Sequence, residues 1–351
     1  MKKTLIVTGT FGEDNKISFL GHQIIEVFKK RFDVTALNGG SLSDLDSILQ
    51  KINEFEIVFW LPNIDNSVDK YLPVIKEKNK TCILIQSKRN DADKYTTFEI
   101  IERMFKVHAN LCLVINKTDK YNFKIIDPLG NLWYDGNDFT RTISILANRV
   151  EFISILTRIK SRQDDFLTTP IEIEPDFITI IQEYATTFTN LIQSAVNKER
   201  FLGNVSTRCM SGFPSIKCDD NIFVSKRNVD KSRISSKDFV AVKRYEDGVV
   251  YSGDNKPSVD TPIQIRLYNY YDKIKYIIHG HVYVAGAPST HLSIPCGYVE
   301  EVEEVKKLFP WRSTSNFCVN LIGHGCLILA EDLSFLHRQV YARDFPERLY
   351  E

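Results

Sequence analysis

Apolar and polar positions alternate in two rhythms along the first 140 residues. Leu5-Ile6-Val7 is an unbroken apolar run, the mark of a short strand buried on both faces. Phe19, Leu20, Ile24, Ile25, Val27 and Phe28 then recur at helical spacing over residues 19–31. Residues 32–37, 56–60, 81–86 and 111–115 predict further strands, with Pro62-Asn63 expected to stop the second of these. Residues 97–107 predict a helix, and residues 123–133 a hairpin around Pro128-Leu129-Gly130-Asn131. Strands alternating with helices predict parallel βαβ units in an open, doubly wound, Rossmann-like sheet.

Near residue 140 the pattern changes. Residues 143–159 and 177–196 are long helical patterns, separated by Thr168-Thr169-Pro170 and Pro175. Many short strands follow, then a terminal helix. The chain has 351 residues, more than one core usually organises. The expected organisation is a Rossmann-like domain over 1–145, a helical linker over 146–176, and a second domain over 177–351.

Charge and composition narrow the function classes. Lys and Arg total 45, and Asp and Glu total 45, so the basic footprint of a nucleic-acid binder is missing. A 43% hydrophobic content suits folded domains. No apolar run reaches membrane-spanning length, and no membrane association is expected. The apolar run in Met1–Val7 is too short for a signal peptide and leads into the turn Thr8-Gly9-Thr10-Phe11-Gly12. Seven cysteines at scattered spacings, with no C-x-x-C, fit a reducing, cytoplasmic compartment.

Histidine placement is the sharpest chemical signal. Five of the seven histidines follow position 278, and two form His279-Gly280-His281 after the apolar run Tyr276-Ile277-Ile278. On a strand, positions i and i+2 share a face, so both imidazoles enter one space. Three protein ligands and an open position define a catalytic zinc site, and Gly323-His324-Gly325 offers a third imidazole. Taken alone, an H-x-H pair also fits two ordinary strand histidines.

The surrounding motifs follow a recognisable order. Gly203-Asn204-Val205-Ser206-Thr207-Arg208 comes first, then Ser225-Lys226-Arg227-Asn228, Pro257-Ser258-Val259-Asp260, His279-Gly280-His281 and His324-Gly325. This order resembles the class II aldolase/adducin family from about residue 177 onward. The resemblance implies an α/β/α domain with a mainly antiparallel sheet. It implies that His279, His281 and His324 hold Zn²⁺ or another divalent metal, with Asp260 as catalytic acid/base. It places Asn204, Ser225, Arg227, Asn228 and Ser258 around the substrate phosphate. The implied function is an aldolase-type lyase, or a related epimerase or dehydratase. Its substrate is a phosphorylated sugar or hydroxy-carbonyl compound, reacting through a metal-stabilised enolate in a homo-oligomer, commonly a tetramer.

The departures bear on that reading. Asp260 stands where the family has glutamate, and Val259 replaces a serine. Lys226 and Arg227 occupy the T-P-S-G loop, where either can bind an anion instead. Some twenty residues are missing before Ile294-Pro295-Cys296-Gly297-Tyr298, a region that supplies a tyrosine proton donor in aldolases. Tyr283 and Tyr298 are the available substitutes. The alternative is a non-catalytic, adducin-like scaffold with a ligand-sensing first domain.

The residues Thr8-Gly9-Thr10, Asn15, Ser18, Gly21 and Asn38-Gly39-Gly40 loosely resemble the nucleotide-binding start of phosphopantothenoylcysteine synthetases. Thr8, Gly9, Thr10 and Asn116 form a candidate ligand site there, at the carboxyl ends of strands. A plain βα turn explains the same glycines. His22, His108 and His291 read as surface residues. Cys296 and Cys326 read as small buried residues, and Tyr268, Tyr270, Tyr271 and Tyr276 as sheet and subunit packing.

Overall fold

The structure, a computed structural model, describes residues 1–342 apart from positions 13, 65–67, 92–93, 118–119, 167–169, 193–200, 202, 209–221 and 246–247. The ends of two sequence expectations, Thr168-Thr169 and residues 193–196, lie outside the described residues. Contacts divide the chain into two compact units, Met1–Ile155 and Leu156–Glu351.

The first unit runs β1 (Lys3–Phe11), α1 (Phe19–Lys29), β2 (Asp33–Gly40), α2 (Leu42–Gln50), β3 (Ile57–Asn63), α3 (Val68–Lys78), β4 (Ile83–Arg89), α4 (Thr97–Val107), β5 (Leu111–Lys117), β6 (Tyr121–Ile126), β7 (Leu132–Gly136) and α5 (Phe139–Ile155). The sheet order is β2-β1-β3-β4-β5-β6-β7. The first five strands are parallel, and the β6–β7 hairpin joins antiparallel. This is the doubly wound sheet expected from the alternating pattern.

Both faces of that sheet are covered, which explains the continuous apolar runs. Leu5, Val7, Val58, Trp60, Leu84 and Val114 pack with side chains of α2, α3 and α4. On α1, Phe28 sets its ring 5.7 Å from Phe59, and α1 packs against α5. Ser18 caps α1 by accepting from the Gly21 amide, while Ser41/Asp44 and Thr96/Glu99 form capping boxes on α2 and α4. Each such cap is worth about 1 kcal/mol.

Three boundaries differ from the sequence pattern. β3 continues through Pro62 to Asn63, in register with Gly9 and Thr10 of β1. Its pairing with β4 ends at Trp60, so beyond that point β3 has one partner and tolerates proline as an edge strand does. Residues 146–155, expected in a linker, are the second half of α5. Leu146, Ala147, Val150 and Ile153 are buried, so that periodicity belongs to the first core. Among the described residues, the helix expected at the end is the single turn Leu333–Leu336.

The second unit runs β8 (Ser161–Gln163), α6 (Pro175–Ile192), β9 (Asn204–Arg208), β10 (Ile222–Ser225), β11 (Phe239–Tyr245), β12 (Gly248–Ser252), α7 (Thr261–Tyr270), β13 (Tyr276–Gly280), β14 (Tyr283–Val284), α8 (Glu301–Leu308), β15 (Phe317–Leu321), β16 (Gly325–Ala330), α9 (Leu333–Leu336) and β17 (Tyr341–Ala342). Its main sheet has the order β15-β16-β13-β9-β10-β11-β12-β8 and is antiparallel except where β8 joins β12. After α9 the chain returns as β17 to pair with β14.

Successive strand residues go to opposite faces. Val205, Phe223, Tyr276, Ile278 and Ile328 pack on Phe177, Ile181, Tyr184 and Phe188 of α6. Val224, Val242, Ile277, Leu327 and Leu329 pack on α7 and on Val302 and Val305 of α8. The result is the α/β/α sandwich expected for this half. Tyr268, Tyr271 and Tyr276 are buried inside it, as packing residues of this one chain. Among the described residues, no helix is long and apolar enough to cross a membrane.

One glycine lets β13 and β16 close on each other, and another lets α6 pack onto β13. Gly325 has φ +136°, and a Cβ there would overlap the Gly280 carbonyl oxygen; a Cβ on Gly280 would enter the Phe188 ring. Gly325→Ala therefore loses on backbone conformation and on space together, and about 2–4 kcal/mol of stability should go with it. Gly286→Ala, with φ +76° and open space around it, should cost about 1 kcal/mol. Urea midpoints of the two variants test this, and equal losses would show that the close approach is not limiting.

Candidate metal centre and its polar network

Three imidazoles converge at the end of the second sheet. His279 is on β13, where it stands opposite Asn204 of β9 and Leu327 of β16. His281 follows in the bend just past the strand end, not on the strand itself. His324 sits in the tight connection between β15 and β16, flanked by two positive-φ glycines. The ring centroids lie 4.6–5.4 Å apart, and one nitrogen from each ring falls within 4.8 Å of the others.

Hydrogen bonds on the far sides of two rings set where their lone pairs point. His279 Nδ1 lies 2.9 Å from the Cys326 carbonyl oxygen, which can only accept, so Nδ1 carries the proton and Nε2 the lone pair. His324 Nδ1 lies 2.7 Å from Glu301 Oε1, a buried carboxylate on α8. In the neutral ring, that bond likewise leaves Nε2 as the lone-pair nitrogen. His279 Nε2, His324 Nε2 and His281 Nδ1 are buried without a hydrogen-bond partner. Buried polar atoms are normally satisfied, so three unsatisfied imidazole nitrogens in one small space match the donor set of a divalent cation.

A carboxylate completes the group. Asp260 precedes α7, whose first residues Thr261-Pro262 start the helix. Its Oδ2 is 3.9 Å from His279 Nε2, and its Oδ1 has no hydrogen-bond partner. Asn204 Nδ2 donates to Ser258 Oγ and to Asp260 Oδ2, each at 3.0 Å. Asn204 Oδ1 accepts from Gln264 Nε2, which fixes the orientation of its amide. Asn204, expected at the substrate phosphate, is thus a buried bridge that positions Asp260 and Ser258.

Burial governs the charge states. Burial, reinforced by His324, pushes His279 down to about 4. Burial and the two neighbouring imidazoles push His281 well below the usual histidine range. Burial opposes charging of His324 too, yet Cys296 and Glu301 beside it carry it well above that range. Burial raises Glu301 despite its imidazole partner.

The other expected residues are placed as follows. Ser225 is fully buried, and its hydroxyl accepts from the Val205 amide at 3.2 Å, bracing β9 against β10. Asn228 has φ +59° and accepts from the Phe201 amide at 3.0 Å, so it shapes the turn. The side-chain oxygens of both residues are thus engaged with backbone amides. Lys226 pairs with Asp254 at 2.8 Å. Arg227 is the exposed cation of this loop; burial of its guanidinium lowers it, against the attraction of Asp260. Tyr283 and Tyr298 are both buried, and Arg158 lies over the Tyr298 ring. Cys326 is buried as expected, but Cys296 abuts His324 rather than filling a core gap. His22, His108 and His291 are exposed.

In the first unit Thr8 is fully buried and donates to Asn38 Oδ1 at 2.7 Å, and Gly21 packs against its side chain. The Asn38 oxygen also accepts from the Ser18 amide. Thr8, Ser18, Gly21 and Asn38 therefore lock β1, α1 and β2 together, with the Thr8 hydroxyl turned into that scaffold. Gly9 and Thr10 line a cleft, whereas Asn116 stands opposite Asn122 in the β5–β6 ladder, outside its lining.

Sequence reasoning missed Glu301, Gln264 and Arg158. Glu301 opens a Glu-Val-Glu-Glu stretch that looks like a solvated helix face, and only the fold shows that Glu301 is buried against His324.

Comparison with known proteins bears out the resemblance of the second unit. Residues 182–317 match the family model of the Class II Aldolase and Adducin N-terminal domain. A methylthioribulose-1-phosphate dehydratase of Acidiphilium cryptum (strain JF-5) is 29% identical over 112 residues, 32% of this chain and 48% of that protein. The chain thus spans about half the length of that curated relative. A DNA/pantothenate metabolism flavoprotein from Streptococcus pneumoniae aligns at 12% identity over 43% of this chain and 99% of its own, with TM-score 0.35. An L-fuculose 1-phosphate aldolase aligns at 18% identity over 47% of this chain and 80% of its own, with TM-score 0.33.

The depressed His279 has a consequence for stability. Its ring takes up a proton near 6.5 in the unfolded chain and only near 4 when folded. As pH falls, the unfolded chain is protonated first, so this group's contribution is intact above 6.5 and lost between 6.5 and 4. Metal-free wild type should lose more stability between pH 7 and pH 5 than His279→Asn, read from urea midpoints. Parallel pH profiles would mean that the ring is not held neutral.

Proposed function

We propose that the second unit is a divalent-metal-dependent lyase of the class II aldolase type, acting on a phosphorylated sugar or related hydroxy-carbonyl compound. The observation that carries this reading is the convergence of three partnerless imidazole nitrogens within 4.8 Å, with the Asp260 carboxylate 3.9 Å from one of them. His279, His281 and His324 would hold the ion, zinc being the first choice for an all-imidazole set. When bound, such a cation supplies Lewis acidity toward a carbonyl or hydroxyl oxygen of the substrate.

The chain's own groups divide the remaining work. Asp260 takes or returns a proton at substrate carbon or oxygen through its unpartnered Oδ1. Asn204 donates to Oδ2 and holds the carboxyl in place. Glu301 accepts from His324 Nδ1, fixing the tautomer and the ring direction. Arg227 supplies a guanidinium for an anionic substrate end, the role that the missing serine leaves open. A sugar-phosphate substrate is also supported by the name of the dehydratase relative. The free thiols at positions 82, 112, 296, 318 and 326 suit a cytoplasmic setting. Assembly as a homo-oligomer is part of the same proposal.

Metal analysis comes first among the tests. Protein purified without a metal-affinity tag should carry about one divalent ion per chain, and His281→Ala should lose it. Asp260→Asn should keep the ion while its turnover of sugar phosphates falls by at least about a hundredfold. Glu301→Gln should weaken metal binding by roughly 10- to 100-fold in chelator competition. Wild-type protein that takes up no metal even on reconstitution would overturn the reading in favour of an adducin-like scaffold.

A further inference from the structure

One thiol at the metal centre has no part in the chemistry proposed above. Cys296 lies in the segment from Ile294 to Glu301, which runs past the site in turns before α8 begins. Two contacts pin this segment across the site. Gly297 has φ +83° and sits so close to Val259 that an added Cβ would lie 3.3 Å from the Val259 carbonyl oxygen. Val259 immediately precedes Asp260. At the far end of the segment, Glu301 reaches His324 Nδ1 at 2.7 Å. On its outer side the turn is tied down by the Arg158–Tyr298 bridge, and by the Thr157 amide donating to Glu300 Oε1 at 2.8 Å.

Cys296 is thereby held beside the space that His324 and Asp260 share. Its thiol abuts the His324 imidazole, and the charges of Asp260 and Glu301 both act on it. His324 Nε2 and Asp260 Oδ1, on two buried side chains, have no hydrogen-bond partner there. The other described cysteines of the second unit are placed differently. Cys318 and Cys326 join the apolar core against α6. Cys326 serves the centre through its carbonyl oxygen alone, which accepts from His279.

The carboxylate leaves a position for a further donor. Asp260 is one methylene shorter than glutamate, and its Oδ2 stands 3.9 Å from His279 Nε2. That oxygen already accepts from Asn204 Nδ2 at 3.0 Å. Three imidazoles supply three of the four donors that a tetrahedral zinc ion takes, and thiolate sulfur is a normal fourth.

We propose that Cys296 is the fourth protein ligand of the ion held by His279, His281 and His324, and that its sulfur selects zinc over hard ions such as magnesium and manganese. Thiolate is a soft donor, and hard ions prefer oxygen. The three ring nitrogens alone lie within 4.8 Å of one another, so the sulfur completes the set by turning toward them as the ion binds. One torsion directs a cysteine sulfur, so little conformational freedom is lost in that turn. Ligation exchanges the thiol proton for the ion, and the proton goes to water. Zinc can expand to five ligands, so a fourth protein donor does not close the site to substrate. The inference rests on the metal centre of the lyase reading, and it leaves Asp260 free to move protons.

Cobalt substitution of the full chain reads the sulfur directly. Metal-free protein is loaded with one equivalent of Co²⁺, and its near-ultraviolet absorption is recorded. The wild type should show a thiolate-to-cobalt charge-transfer band, and Cys296→Ser should bind cobalt without it. In chelator competition Cys296→Ser should lose zinc affinity at least about tenfold and manganese affinity less than about twofold. X-ray absorption of the zinc-loaded wild type needs no variant and decides the matter if Cys296→Ser fails to fold. It should show one sulfur at about 2.3 Å beside the nitrogens. Cobalt bound without the band, a band that survives in Cys296→Ser, or a zinc shell without sulfur would overturn the proposal and leave the three-imidazole centre standing. A wild type that takes up neither ion would overturn both.

Discussion

The second unit depends on a contact that only glycine permits. Gly280 and Gly325 bring β13 and the start of β16 so close that the Gly280 carbonyl takes the place a Gly325 side chain would need. That approach sets His279 and His324 edge to face, with ring centroids 4.6 Å apart. On the other face of β13, the Phe188 ring fills the space a Gly280 side chain would occupy. Close packing at these two glycines thus bears directly on the spacing of His279 and His324. Ligand geometry built into a hairpin closure and a strand end is stiffer than one hung on a loop.

The closeness has an electrostatic cost, and the surrounding hydrogen bonds show how it is distributed. Three imidazoles and two carboxylates are buried within a few ångströms. Desolvation disfavours charge on the three imidazoles and on Glu301. The network instead separates them. His279 is tied to a carbonyl, which leaves it a neutral donor of its lone pair. His324 is tied to Glu301. Asp260 receives the Asn204 amide, and Asn204 is in turn held by Gln264. Two of the three imidazoles are oriented by a partner on the far side of the ring, the arrangement by which proteins set tautomer and basicity before any ligand arrives.

Much of this was legible in sequence, for reasons that can be named. The strand–helix alternation of the first 140 residues reports a sheet covered on both faces, and the helical patterns over residues 19–31 and 97–107 fall on α1 and α4. The spacing of His279, His281 and His324 was readable because glycines and histidines at a hairpin carry a local signature. Partners distant in sequence were not. Glu301 looks like a surface acid until α8 is docked, and Gln264 looks like any polar helix position. Thr8 and Asn204 were visible as polar residues near the sites, yet their hydrogen bonds turn inward. A motif identifies residues that matter without saying whether they touch a ligand or hold the group that does.

The same distinction separates the two units. In the second, nearly every charged or polar group of the site has a fixed partner, and the unpartnered atoms are few and aimed at one space. In the first, Thr8, Ser18 and Asn38 are consumed by the scaffold, while the cleft beside them is lined by long, flexible cations with little acid among them. Fixed short side chains suit a small ion that demands defined geometry.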